Sequence, residues 1–551
     1  MSTFSRSSKT TAPLQTIWTR SRGPFARPVG PWFKRRLRRP DPLSHRNPAA
    51  ATFVSYRRRP EGPAESGARG RAPHRYAWVV TYPDLRGLIK SYDVRGVVGK
   101  DLTHDVATAI GAAFADAIVL PDSERTVVIG HDMRDSSPEL SAAVASGLSA
   151  RGVDVIHVGL CSTDGLYFAS GKLNLPGVMI TASHNPAEYN GMKMCRSRAR
   201  AVGENSGLAD VRELASRYLV EPFEVAETAG VVTERDMLVE YAEFLRSLVP
   251  LGNGRPLKVV VDAANAMGGY TVPAVLGTGA GLPELPLEII PLYFELDGTF
   301  PNHEANPLDE ENLRDLQAAV LEHGADIGLA FDGDADRCFA VDEKGHIVRA
   351  SAITCLVGLR ETAREGAAGR TATVIHNLIS SRAVPEQLSA AGAKPVRSKV
   401  GHSNIKAQMA ELNAIFGGEH SAHFYFRDFY FADSGMLAAM HVLAALGESD
   451  RPLSALLEAH DPYAASGEIN SRVASVPEAL ARVREGFAGD GVEIDDFDGL
   501  TFTHWNDAGE RWWFNVRASN TEPLLRLNVE AAEPAVMELV RDGVLAAIRE
   551  G

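Results

Sequence analysis

Cysteine is scarce: four residues in 551, Cys161, Cys195, Cys338 and Cys355, with no Cys-x-x-Cys pair among them. Cysteines this far apart make a poor disulfide scaffold and a poor zinc site, and they fit a reducing cytoplasm. Also missing is any uninterrupted apolar run near the roughly 18 residues that span a bilayer, so no membrane helix is expected. Over most of the chain positive charge is in deficit. Residues 1–79 carry 17 Lys and Arg against 3 Asp and Glu, a net of +14, so the overall −13 leaves −27 for the remainder. So acidic a body argues against nucleic acid as the main partner. A phosphorylated small molecule is not excluded, since it needs only a local basic pocket. The length exceeds what one core holds, and roughly three or four domains are expected.

Residues 1–79 are unlike the rest. Arg, Pro, Ser and Gly dominate, and Lys34–Arg39 and Arg57–Arg59 form basic clusters. Such a segment cannot bury enough apolar surface to offset its ordering entropy, so disorder is expected. It reads as a nucleic-acid or membrane-surface arm, as an Arg- and Ser-rich transit peptide, or as an upstream over-extension of a product that starts near Val79-Val80-Thr81.

From Asp84 a regular rhythm sets in. Asp105–Val119 has helical spacing. Thr126–Ile129 reads as a buried strand, Pro138–Ala150 as the next helix, and Val153–Val158 and Gly177–Ile180 as further strands. Strand, polar loop, helix, strand is the pattern of a parallel sheet. It restarts at Leu257–Val261, with Ala264–Tyr270 opening a helix, and at Ile327–Phe331. A third round holds Ala372–Ile375, Lys394–Arg397 and Ala414–Phe416. Beyond about Gly467 the strand-like Thr501–Thr503, Arg511–Arg517 and Leu524–Glu530 precede a helix, Pro534–Ile548, and predict a small α+β unit. The expected fold is α/β with four domains: residues 80–236, 237–350, 351–464 and 465–551, three related mixed α/β sheets and an α+β cap around a central cleft.

Four loops carry the chemistry. Thr181-Ala-Ser-His-Asn-Pro186 follows a strand, and a serine exposed at a strand's carboxyl end is placed to be a nucleophile or phosphate carrier. Asp332-Gly-Asp-Ala-Asp-Arg337 sets three carboxylates at alternate positions, able to turn their oxygens to one point, as Mg²⁺ requires. A solvated acidic turn is the plainer reading of it. An EF-hand is excluded by the misplaced Gly and the absent twelfth-position Glu. Gly418-Glu-His-Ser-Ala-His423 puts Glu and Ser two apart, able to meet neighbouring sugar hydroxyls, and Arg517-Ala-Ser-Asn-Thr521 combines a guanidinium with short donors suited to a phosphate dianion. A helix cap and an ordinary polar turn are the plainer readings of these two. Ser398–Lys406 adds a Gly401-His402-Ser403 turn opening a helix.

These four loops, in this order, resemble the signature loops of the α-D-phosphohexomutases, most closely their bacterial phosphomannomutase/phosphoglucomutase branch, over about residues 84–551. The resemblance implies a phosphoserine at Ser183, with His184 beside it, and Mg²⁺ held by Asp332, Asp334, Asp336 and the serine's phosphate. Glu419 and Ser421 would select the sugar; Arg517, Ser519, Asn520 and Thr521 would hold the non-reacting phosphate. Lys193, Arg337, Arg95 and Tyr92 would line the cleft. Proton exchange falls first to His402, then to His423. The implied activity interconverts the 1- and 6-phosphates of mannose or glucose, with a hexose 1,6-bisphosphate as intermediate and activator. The sequence departs from relatives at His376-Asn377-Leu378, where some have a lysine, and at His420, where Met or Gln is common. A phosphoglucosamine mutase is the alternative within the class. A phosphatase would need an Asp-x-Asp-x-Thr/Val nucleophile segment, which is missing, and a nucleic-acid-binding protein would rest on the basic extension alone. The sequence leaves oligomeric state open.

Overall fold

A computed structural model describes residues 57–58, 78–79, 81–506, 510–518 and 524–549, and at His402 the backbone only. The expectation of a disordered extension falls outside the described residues, except for an antiparallel pairing of Arg57–Arg58 with Trp78–Val79. Among the described residues no helix is long and apolar enough to cross a membrane.

Three sheets repeat one plan. In the second, the strands Leu287–Leu292, Leu257–Asp262 and Ile327–Phe331 lie side by side and parallel, with Leu257–Asp262 in the middle. After Ile327–Phe331 the chain turns back antiparallel as Cys338–Asp342, and Ile347–Val348 adds the far edge. The third sheet repeats this as Lys394–Ser398, Thr373–Asn377, Phe416–Gly418, Phe424–Phe426 and Ala432–Asp433. In the first, Asp154–Leu160, Thr126–His131 and Gly177–Ile180 are the parallel strands, Tyr189–Arg196 is the antiparallel return, and Val94–Val97 and Val232–Glu234 close the edges. The sequence reading located these parallel strands except Leu287–Leu292, and none of the returns. Each return follows its loop with no helix between, so the strand, loop, helix rhythm that marks the parallel strands passes over it.

This plan places the chemistry. Each of the first three loops connects the third parallel strand to its antiparallel return, at the carboxyl end of the parallel strands, where open α/β sheets bind ligands. Helices cover the sheets. Ala107, Ile110 and Phe114 of His104–Phe114 are buried on the first sheet, and Thr103 caps that helix through its hydroxyl. The helix expected from Ala264 starts later, at Gly268, because Ala264 and Asn265 hold left-handed backbone with φ of 49° and 57°. One apolar cluster runs unbroken from Phe168, on the helix Thr163–Leu173, and Met179 of the first sheet through Val260 and Phe331 to Phe416 and Leu443.

The last unit is an antiparallel sheet in the order Ala464–Arg472, Leu524–Ala531, Trp512–Ala518, Leu500–His504, Glu493–Asp495. Helices Val476–Phe487 and Pro534–Arg549 pack on it around Phe502, Phe514, Leu527 and Val544. It docks on the third unit through Glu530, a buried carboxylate that accepts from Ser381 Oγ (2.6 Å) and Trp513 Nε1 (3.1 Å).

Candidate active site

The serine loop is held in an unusual shape. Ser183 has a φ of 48°, left-handed backbone that costs a non-glycine residue about 1–3 kcal/mol. The restraint comes from Arg134, which is 2% exposed. Its guanidinium donates to four carbonyls of the loop: Nη2 to Ser183 (2.9 Å) and Asn185 (2.6 Å), Nη1 to Pro186 (2.8 Å) and Tyr189 (3.1 Å). Opposite, Gly333 packs so closely that a Cβ there would stand 2.1 Å from the Ser183 carbonyl oxygen. Ser183 Oγ then donates to Asp332 Oδ2 at 2.7 Å and lies 3.3 Å from His184 Nδ1.

Asp332, Asp334 and Asp336 bring oxygens within 4.8 Å of one another, and all three residues are buried. Lys193 Nζ bridges Asp334 Oδ2 (2.6 Å) and Asp336 Oδ2 (2.5 Å), while Arg337 Nε and Nη2 donate to Asp332 Oδ2 at 2.9 and 2.6 Å. Burial works against the charge on Lys193, but Asp334 and Asp336 outweigh it and raise its pKa. Burial likewise opposes ionisation of Asp334, and Lys193 overcomes it and holds that carboxyl well below the usual range. Asp332 is pushed up to about 7, first by burial and then by Asp336 and Asp334, against the pull of Arg337. The Oδ1 atoms of Asp334 and Asp336 are buried with no hydrogen-bond partner. Orphaned hard oxygens among three carboxylates that Lys193 and Arg337 do not fully offset fit a divalent cation of the Mg²⁺ type.

The other loops converge on the same cleft. A cavity of about 960 Å³ is lined by Tyr92, Arg95, Ser183, His184, Lys193, Asp336, Arg337, Glu419, Ser421, His423 and Arg517, with Asp332 and Asp334 behind that wall. Arg95 is fixed by Asp93 Oδ2 (2.8 Å) and donates to the Thr181 carbonyl (2.8 Å). Glu419 is oriented by the Gly401 amide (3.1 Å) and the Tyr425 hydroxyl (2.8 Å). His423 places Nδ1 3.0 Å from Ser421 Oγ and Nε2 3.8 Å from Asp336 Oδ1, and burial, helped by Arg337, lowers its pKa and keeps the ring neutral near pH 7. His184 is lowered further, chiefly by the Arg337 charge and then by burial. The His402 side chain and Ser519, Asn520 and Thr521 lie outside the described residues.

Sequence reasoning did not single out Arg134 or Thr163. Thr163 Oγ1 donates to Asp334 Oδ2 at 2.6 Å and its amide to the Asp334 carbonyl at 3.0 Å, tying a helix of the first unit to the acidic loop. Nor did it find the loop from Tyr293 to Asn306, whose Phe300 ring lies 5.0 Å from the Arg134 guanidinium carbon. His303 pins that loop, with Nε2 3.0 Å from Asp262 Oδ2 and Nδ1 2.9 Å from the Glu304 carbonyl. Both neighbours are acceptors, so the ring serves both only as imidazolium. Burial opposes that charge, but the Asp262 hydrogen bond and carboxylate outweigh it and raise the pKa. A raised histidine contributes stability that is full below about pH 6.5 and is lost as pH climbs through the folded-state value. Thermal midpoints are therefore expected to fall over that window in the native chain, and this part of the fall is expected to vanish in His303→Gln. A melting series across pH 5.5–9 checks both.

Against known proteins, models of the phosphoglucomutase/phosphomannomutase family match in succession: alpha/beta/alpha domain I at residues 86–214, domain II at 239–345, domain III at 351–463 and the C-terminal domain at 468–547. The phosphomannomutase of Escherichia coli (strain K12) is 39% identical over 444 residues, 80% of this chain and 94% of that protein. A protein described as phosphohexose mutases from Xanthomonas campestris pv. campestris is 39% identical over 450 residues, covering 81% and 96%. A solved phosphoglucomutase/phosphomannomutase family protein from Burkholderia thailandensis superposes with a TM-score of 0.74 at 31% identity, covering 84% and 97%. Four matched domains in order, and a cleft where their loops meet, show that the chain belongs to the phosphoglucomutase/phosphomannomutase family.

Proposed function

We propose that the chain is a phosphomannomutase/phosphoglucomutase that moves phosphate between O1 and O6 of a hexose phosphate through phosphorylated Ser183. The observation that carries this reading is Ser183 Oγ at 2.7 Å from Asp332, strained forward into a cleft lined by Lys193, Arg337, Glu419, His423 and Arg517. Phosphoryl transfer asks a protein for charge neutralisation and positioning more than for covalent chemistry. Asp332, Asp334 and Asp336 would hold Mg²⁺, which supplies charge neutralisation at the phosphoryl oxygens. Glu419 and Ser421 bind sugar hydroxyls, and Arg517 binds the phosphate that is not reacting.

The neutral His423 takes the proton of the attacking sugar hydroxyl. As the new O–P bond forms, the bond from phosphorus to Ser183 Oγ breaks; Arg337 Nη2, 3.4 Å from Oγ, offsets the charge of the oxygen left behind, which takes up a proton and ends as the serine hydroxyl. The bisphosphate so formed turns over and returns its other phosphate to Ser183 by the same steps reversed. The test is an assay with mannose 1-phosphate and with glucose 1-phosphate, in Mg²⁺ and a trace of the matching bisphosphate. Formation of the 6-phosphate is expected. Free phosphate without isomer would overturn the reading, and a preference for glucosamine 1-phosphate would move it to the sister activity.

A further inference from the structure

Glu468 follows Gly467, whose φ is +67°, in a bulge where the register of Ala464–Arg472 against Leu524–Ala531 shifts. A bulge re-aims a side chain, and this one turns the Glu468 carboxylate into the cleft. Its Oε2 accepts from Arg517 Nη2 and its Oε1 from Arg526 Nη1, each at 3.1 Å. Arg517 and Arg526 stand directly opposite each other on neighbouring antiparallel strands. Like charges so placed repel unless an anion lies between them, and Glu468 supplies that anion. Burial would keep the carboxyl neutral, but His420, Arg526 and Arg517 hold it down to about 2.

A second partner waits across the gap. Ser380 Oγ donates to Asn377 Oδ1 at 2.8 Å, which fixes the amide so that Asn377 Nδ2 donates to His420 Nδ1, also at 2.8 Å. The hydrogen of His420 therefore sits on Nε2, which faces Glu468 Oε2 at 3.8 Å. Asn377 and His420 come from two different loops of the third unit, and they act here as one unit.

We propose that Glu468 is an internal competitor for the phosphate site. Its carboxylate occupies the Arg517–Arg526 pair, and a phosphate reaching Arg517 displaces it toward His420. The inference rests on the mutase reading, in which Arg517 holds the non-reacting phosphate. It gives that reading a release step: a bisphosphate has to leave Arg517 in order to turn, and a returning carboxylate offsets the phosphate's hold. Binding that is equally tight before and after the reorientation would slow turnover without aiding chemistry.

Calorimetric titration of the full chain with inorganic phosphate tests this without relying on turnover. Glu468→Gln is expected to bind phosphate about tenfold more tightly, the worth of one charge-assisted contact no longer opposed. The gain is expected to disappear in Glu468→Gln/Arg517→Gln, which separates this site from the serine loop. In the mutase assay the single variant is expected to show a lower KM together with a lower kcat. Phosphate affinity unchanged or weakened in Glu468→Gln would overturn the proposal and leave Glu468 as a support for Arg517. Should that variant not fold, Glu468→Asp, with its carboxylate drawn back, is read the same way. Failure of both to fold would assign Glu468 to the scaffold and overturn the proposal as well. Absence of mutase turnover in the native chain would instead count against the mutase reading, whatever the phosphate titration gives.

Discussion

Replacing Ser183 with alanine is expected to lower turnover of hexose 1-phosphate by about 10³-fold or more, with little loss of folded protein. The asymmetry follows from what the hydroxyl touches. Ser183 Oγ gives one hydrogen bond, to Asp332 Oδ2, and that oxygen keeps its bonds from Arg337 Nε and Nη2. The loop's shape depends on backbone carbonyls and Arg134, which the substitution leaves in place. The stability cost is therefore that of one replaceable hydrogen bond, about 1 kcal/mol. On the proposed function, chemistry loses its phosphate carrier altogether, and losing a covalent nucleophile is among the largest effects a single substitution has. The measurement pairs kcat with a melting curve and with transfer of label from a hexose bisphosphate to the protein. Unchanged turnover in a folded variant would remove Ser183 from the reaction.

The serine and acidic loops were legible because both carry their meaning locally. An apolar run such as Gly177–Ile180 or Ile327–Phe331 gives way to short polar residues, and the residue types alone limit the chemistry. Geometry turned three such loops into one site by a rule the sequence does not display: each lies between a third parallel strand and an antiparallel return. The return strands escaped notice because no helix separates them from the strand before, so the strand, loop, helix rhythm passes over them; burial on both faces they share with Ile327–Phe331, which was found. What sequence could not give at all were contacts set by distant partners. Thr163 meets Asp334 across 171 positions, and Glu468 finds its arginines 49 and 58 residues on. Nothing in a threonine at a helix start, or a glutamate on an amphipathic strand, names its neighbour. Arg134 lies in a loop that the strand pattern located, but its four carbonyl partners lie 49 to 55 residues away.

For Arg134 the expected result is a double loss. Arg134→Gln removes a buried guanidinium that donates to four carbonyls and faces Asp132 Oδ2 at 3.4 Å, taking the donor from the Ser183 and Asn185 carbonyls and the countercharge from a buried carboxylate that keeps its bond from Ser137 Oγ. Breaking a buried, hydrogen-bonded charge in this way costs about 3–5 kcal/mol. Arg134→Lys keeps the charge, but a single ammonium cannot span carbonyls that two guanidinium nitrogens share. The lysine variant is therefore expected to stay folded while its kcat falls about 10²-fold, because Ser183 relaxes from its strained φ and Oγ leaves the line to Asp332. KM for the hexose phosphate should hardly move, since Glu419, Ser421 and Arg517 sit on other loops. Arg134 acts here as a positioning residue, so the split between kcat and KM is the decisive readout. A lysine variant that folds and turns over like the native chain would show the four carbonyls to be satisfied without shaping the serine. One that loses kcat at constant KM would place the strain of the Ser183 loop among the things Arg134 exists to maintain.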